Sequence, residues 1–151
     1  MNNDFMQEAI RLARESRGGP FGAVIVKAGK VVGRGSNQVT TTNDPTAHAE
    51  VVAIREACRQ LNTYRLSGCE IYASCEPCPM CLSAIYWARL DRIYHALTRQ
   101  DAAAMGFDDE SLYRELSLSA EQRQLPMQQI ARDSALAIVQ GWNSNTDKVR
   151  Y

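Results

Sequence analysis

Apolar residues recur along this chain with two periods, and the switch between them sets the expected order of elements. Phe5, Met6, Ala9, Ile10 and Ala13 fall at helical spacing, and Asp4 with Gln7 three residues on resembles a capping box, so the chain is expected to open on an amphipathic helix. Gly18-Gly19-Pro20 ends it. Residues 21–26 and 31–35 then read as strands joined by a tight turn at Ala28-Gly29, a β-hairpin. Gly33 and Gly35 are weak strand formers, which predicts a bulge or a ligand close to the backbone. Asn43-Asp44-Pro45 reads as a helix start, with Asp44 capping and Pro45 in the first helical position, followed by a buried stripe of Val51, Ile54, Cys58 and Leu61.

Residues 70–74 form a third predicted strand, an apolar helix follows Pro77, and residues 91–96 form a fourth strand. Beyond them the pattern predicts a helix over 98–104, a loop over 106–109, a short helix over 111–116 and an edge strand over 127–131 after Pro126. Asp133 is expected to cap a last helix whose Ala135, Ile138, Val139 and Trp142 make an apolar face. Alternating strands and helices imply an α/β layer fold. There is no repeat or linker, and 151 residues suit a single domain, 1–151.

Charge narrows the partners. Lys plus Arg number 17 and so do Asp plus Glu, so the chain lacks the basic excess of a nucleic-acid-binding domain and favours a small-molecule partner. No apolar run approaches the roughly 20 residues of a membrane span, which excludes a membrane partner of that kind. A polar start and five cysteines, an odd number, point to a cytoplasmic protein in which a C-x-x-C means metal or redox chemistry.

The candidate chemistry centres on Ser74-Cys75-Glu76-Pro77-Cys78-Pro79-Met80-Cys81. A helix starting at or just after Pro77 places Cys78 and Cys81 on one face, and its positive end favours the thiolates that bind metal. A catalytic zinc site needs a third protein ligand and an open position, and His48 in Thr46-Ala47-His48-Ala49-Glu50 is the best third ligand, with Glu50 beside it. Residues two apart point about 200° apart around a helix, so His48 and Glu50 share a site only if the metal lies off the helix end. The competing readings are a dithiol oxidoreductase using Cys78 and Cys81 alone, and a non-catalytic zinc module with His95 or a further cysteine as fourth ligand. Cys58, Cys69 and Cys75 read as buried thiols. Phe21 reads equally as core or as a ring to stack on a flat base, Trp87 reads as core before pocket lining, and Asp108-Asp109 reads as a solvated turn.

His-Ala-Glu and Pro-Cys-Pro-Met-Cys together match the H-x-E…P-C-x-x-C signature of zinc nucleobase deaminases. With both halves present the chain resembles the cytidine deaminase superfamily and, within it, the bacterial guanine deaminases. The resemblance also runs through the stretches 18–26, 43–50 and 84–89, Gly106-Phe107-Asp108-Asp109 and a C-terminal tyrosine. It implies a three-layer α/β/α sandwich with a mixed five-stranded sheet, and a homodimer; the segment from about residue 133 to 151 folds either onto its own subunit or, exchanged, onto its partner. One Zn(2+) per subunit would be held by His48, Cys78 and Cys81, with Glu50 as proton shuttle. Asn37 would hydrogen-bond a purine, Phe21 and Trp87 would line its pocket, and Asp109, with Asp108 as competitor, and Tyr151 would close it; Ala49 and Glu76 join the substrate contacts. The implied reaction is guanine to xanthine and ammonia. Guanosine, tRNA adenosine and cytosine deamination are the alternatives within the same chemistry, and neutral charge weighs against tRNA.

Overall fold

In the computed structural model, which describes residues 2–151, the first helix α1 (Asn3–Glu15) is capped by Asn2, whose side-chain oxygen accepts the Asp4 amide at 2.9 Å. The capping box expected from Asp4 and Gln7 therefore does not form. Asp4 lies inside the first turn, where its charge suits the positive helix end. The chain falls into two units, one reaching Tyr113 and the other Arg114–Tyr151.

The first unit is built on the strands β1 (Gly22–Lys27), β2 (Lys30–Ser36), β3 (Cys69–Cys75) and β4 (Arg92–Leu97), in the spatial order β2-β1-β3-β4. β1 pairs antiparallel with β2 and β3, and β3 pairs parallel with β4, so the sheet is mixed. Ile25 pairs with Gly33 but Val26 with Val31, which makes the expected bulge. Both faces are covered. α1 lays Phe5, Met6 and Leu12 on Val24, Val26 and Tyr72. On the opposite face Ala23, Ile25 and Ile71 pack with α3 (Ala49–Leu61) and with Ile85 of α4 (Pro79–Trp87). Burying each Val or Ile side chain contributes about 1.5–3 kcal/mol, so both faces stabilise the sheet.

The glycines of β2 meet protein backbone rather than a ligand. A Cβ on Gly35 would lie 2.0 Å from the Ala49 carbonyl oxygen, and one on Gly33 would lie 2.5 Å from that of Ala53. Across the sheet, Gly22 does the same for α1, with the Ala9 oxygen 2.2 Å from where its Cβ would stand. The buried stripe of α3 is correspondingly Ala49, Ala53 and Ala57. The expected Ile54, Cys58 and Leu61 flank it, partly buried, because only small residues fit where helix and strand backbones touch.

The start of α3 also departs from expectation. Val39–Thr42 forms one helical turn, α2, which Asn43 ends in the left-handed region. Asp44 then folds back on Thr46, accepting its amide at 2.8 Å and its hydroxyl at 2.6 Å. Asp44 and Pro45 thus make a turn, and the helix begins four residues after Pro45, with His48 as N-cap. After β4 come α5 (Arg99–Ala104), with a capping box between Thr98 and Asp101, and α6 (Asp109–Ser117).

The second unit holds the end of α6, a 3₁₀ turn (Ala120–Gln122) and α7 (Arg132–Ser144). The Arg123 guanidinium donates to the carbonyls of Glu115 and Leu118, tying the turn to α6. α7 has Ala131, not Asp133, at its N-cap, and Asp133 lies in its first turn. The sheet has four strands among the described residues, not five. The expected strand over 127–131 is irregular and exposed, and its unit contains no strand for it to pair with. Among the described residues no helix is long and apolar enough to cross a membrane.

If backbone contact at Gly35 seats α3, Gly35→Ala is expected to destabilise the fold by about 2–3 kcal/mol through overpacking, read as a lower urea midpoint. Gly29→Asn, at a position open around its Cβ with φ +76°, serves as control and is expected to shift it little. Equal midpoints for the two variants would refute the contact.

Candidate active site

Two helices begin side by side beyond the carboxyl end of β3. His48 is the N-cap of α3, with φ −68° and ψ 156°, so its ring projects off the helix end while Glu50 sits in the first turn. That resolves the angular conflict between residues two apart. Cys78 is the N-cap of α4, Pro79 opens the helix and Cys81 follows in its first turn, which brings both sulfurs to one side. The Cys78 and Cys81 Sγ atoms each lie 3.5 Å from His48 Nδ1, and the three donors are all within 4.8 Å of one another.

These donors fit zinc. With Zn–S near 2.3 Å and Zn–N near 2.0 Å in a tetrahedron, a sulfur and a nitrogen ligand stand about 3.5 Å apart, as they do here. The neighbouring Cys81 thiol and the His48 ring hold the Cys78 thiol down to about 4, in its ligating form. Three soft or borderline donors, with no fourth among the described residues, leave the open position of a catalytic centre. His95 supplies no such fourth ligand; its Nδ1 lies 3.0 Å from the Leu97 carbonyl oxygen, on an exposed part of β4.

A cavity of about 490 Å³ opens over these donors, within the usual range for small-molecule sites. Glu50 lines it and is 8 % exposed; burial pushes its carboxyl above the ordinary carboxylate range, as suits a group that takes and returns protons. Asn37 is buried in its wall, its Oδ1 accepting the amides of Gly19 and Val39, both at 3.1 Å. Two N–H donors aimed at one atom require oxygen there, which leaves Nδ2 as a donor. The same packing explains the glycines before Pro20: a Cβ on Gly18 would lie 2.3 Å from the Asn37 carbonyl oxygen.

Phe21 and Phe107 meet edge to face at 4.9 Å on the cavity wall. Asp109 lines the cavity with a carboxyl raised by burial, whereas Asp108 accepts the Ser111 amide at 3.1 Å and serves α6 as a cap. Glu76 lines the cavity too, but its carboxylate is engaged by Arg99, through the backbone amide at 3.1 Å and the side chain at 3.5 Å. Cys75 is a cavity residue whose thiol donates to the Thr98 carbonyl at 3.4 Å, and burial pushes it up to about 11. It stays a protonated, structural thiol.

Two expected contacts are placed elsewhere. Trp87 sits at the far end of α4, nine residues and about 13 Å of helix from Cys78, in a separate groove with Ser83, Tyr86 and Arg89. Ala49 is buried against β2, not on the cavity wall. Tyr151 belongs to the second unit and is largely exposed. Phe107, Thr40 and Pro45 line the cavity without having been singled out; for Phe107 the signal was its place in Gly-Phe-Asp-Asp.

The family model "Cytidine and deoxycytidylate deaminase zinc-binding region" matches residues 1–97. The chain belongs to this deaminase family. It is 49 % identical to a guanine deaminase of Bacillus subtilis (strain 168) over the whole length of both chains. The X-ray structure of guanine deaminase from Bacillus subtilis superimposes with a TM-score of 0.96 at 49 % identity, covering 100 % of this chain and 99 % of that one. A tRNA-specific adenosine deaminase of Aquifex aeolicus (strain VF5) is 45 % identical, but over 64 % of this chain and 66 % of its own length. The likeness to the guanine deaminase thus covers the whole chain, and that to the tRNA enzyme about two thirds of it.

The metal centre is checked by elemental analysis. One zinc per chain is expected in protein purified without chelators, and Cys81→Ser is expected to lose it. Wild-type zinc content in that variant would overturn the ligand set.

Proposed function

We infer that this protein is a hydrolase that converts guanine and water to xanthine and ammonia. The observation that carries the reading is the 49 % identity to a guanine deaminase over the full length, joined to a metal-ligand triad beside a cavity of about 490 Å³, which has room for a purine. When bound, zinc supplies a Lewis-acid centre able to make water a nucleophile near neutral pH. His48, Cys78 and Cys81 would hold it. Glu50 takes a proton from the attacking water and delivers it to a ring nitrogen, then takes the proton left on the added hydroxyl and delivers it to the departing amine, so one buried carboxyl acts twice as base and twice as acid.

Recognition of the ring falls to donors and acceptors around the cavity. Asn37 offers Nδ2 to a purine acceptor, and Phe21 offers a ring to stack on. Asp109 accepts N–H groups that guanine presents; adenine sets an acceptor nitrogen where guanine has N–H, and an acceptor facing an acceptor costs about 1–3 kcal/mol, or roughly ten- to a hundredfold. The C-terminal tail, through Tyr151, closes over the bound ring and excludes water.

The enzyme works as a cytoplasmic homodimer, with the segment from about residue 133 onward exchanged between subunits. Support for a partner comes from α7, where Ile138, Val139 and Trp142 are 73, 53 and 44 % exposed in the single chain. The five cysteines are all unpaired, in keeping with a reducing compartment. Equal numbers of acidic and basic residues favour a free small molecule over tRNA.

Screening guanine, guanosine, adenine, adenosine and cytosine for ammonia release is expected to give turnover with guanine. Turnover of guanosine or adenosine in its place would reassign the substrate. Glu50→Gln is expected to keep zinc and fold while losing turnover by roughly 10²–10⁴-fold or more; steady-state rates within tenfold of the intact enzyme would mean that another group moves the protons. Removing residues 148–151 is expected to cut kcat/KM for guanine by roughly tenfold or more with zinc retained, and unchanged kinetics would remove the tail from the site.

A further inference from the structure

α6 carries Asp109 in its first turn and Tyr113 four residues later, so the two side chains share one helix face. Asp109 faces the cavity. Tyr113 reaches in another direction: its hydroxyl donates to the Pro77 carbonyl at 2.9 Å, a contact spanning 36 residues of chain. Its ring lies against the Arg99 guanidinium, 4.3 Å from the ring centroid. Arg99 in turn holds Glu76, through its amide at 3.1 Å and its side chain at 3.5 Å. Glu76 and Pro77 immediately precede the ligand Cys78. A closed circuit of contacts therefore runs from the thiol turn through Glu76, Arg99 and Tyr113 back to Pro77.

The helix needs such an anchor. Gly106, with φ +92° and open space around its Cβ, precedes it; the Gly106 and Phe107 amides close on the Ala103 and Ala102 carbonyls at 3.0 Å and the Phe107 ring meets Phe21, contacts that fix the approach but not α6 itself. Asp108 caps the helix but ties it to nothing beyond itself. The contact between Gln100 and Glu110 is long, at 3.4 Å, and exposed. The Tyr113 hydroxyl is directional, partly buried and bonded to a carbonyl that is fixed by the metal-ligand turn.

We propose that Tyr113 is a positioning residue: by pinning α6 to the Pro77 carbonyl it sets how deep the Asp109 carboxylate stands in the cavity, and so how tightly the purine is held. The proposal rests on the guanine reading above and adds a residue to it. A tyrosine that merely packed would be replaced by phenylalanine without loss, because the ring over Arg99 would remain. A tether is lost with its oxygen.

The test is a double-mutant cycle on the full chain, using Tyr113→Phe, Asp109→Asn and the pair. KM and kcat for guanine are read beside zinc content and the calorimetric affinity for xanthine. Tyr113→Phe is expected to keep zinc, raise KM about fivefold and weaken xanthine binding to match, with kcat within about twofold, as loss of one neutral hydrogen bond dictates. In the Asp109→Asn background the same change is expected to alter KM less than about twofold, because the group it positions is gone. Additive effects, or a wild-type KM in Tyr113→Phe, would overturn the proposal while leaving the deaminase reading intact. An intact enzyme that releases no ammonia from guanine would instead overturn both.

Discussion

Backbone contact between α3 and β2 is the constraint on which the site depends. Gly33 and Gly35 leave no side chain between strand and helix, and Ala49, Ala53 and Ala57 present the smallest surface that still packs. The helix can then lie so close that its first residue, Ala49, meets the strand while His48, one position earlier, turns out of the helix toward α4. A side chain at Gly35 would lift the start of α3. It would carry the His48 ring away from sulfurs that now stand 3.5 Å from it. The metal centre is in this sense a consequence of packing on the other side of the same helix turn.

The electrostatics follow from where the two helices begin. Helix N-termini favour negative charge, and here they face a pair of thiols, one of them held low enough to ionise. Glu50 is buried in the same helix start, and desolvation keeps its carboxyl readily protonated. A metal held by His48, Cys78 and Cys81 would stand beside this carboxyl under a partly apolar cavity and would supply the Lewis acid that hydrolytic deamination needs. The cavity wall adds direction, with Asn37 locked by two backbone amides and Asp109 presented by α6.

What could be read in advance was whatever short-range spacing determines. The hairpin, its bulge and the ligand triad each reside in a few adjacent residues whose geometry is nearly fixed, and the structure brings His48, Cys78 and Cys81 together as expected. The place of Trp87 was legible and went unread: nine residues at about 100° each turn it to the opposite side of the helix from Cys78, and about 13 Å of helix separates them. Asp44-Pro45 has the chemistry of a helix start and also of a turn, and Thr46 decided between them by offering Asp44 two donors. The glycines of β2 could signal a ligand or a neighbouring helix, since either needs an absent Cβ. A fifth strand over 127–131 required a pairing partner, and strand propensity cannot supply one.

The central claim is a metal position built from one imidazole and two thiolates, with one coordination site left for solvent or substrate. X-ray absorption at the zinc edge of the purified enzyme measures that shell directly. The account predicts two sulfurs at about 2.3 Å and two lighter N or O atoms at about 2.0–2.1 Å. A shell of three or four sulfurs, or a zinc-free protein with Cys78 and Cys81 joined as a disulfide, would contradict it.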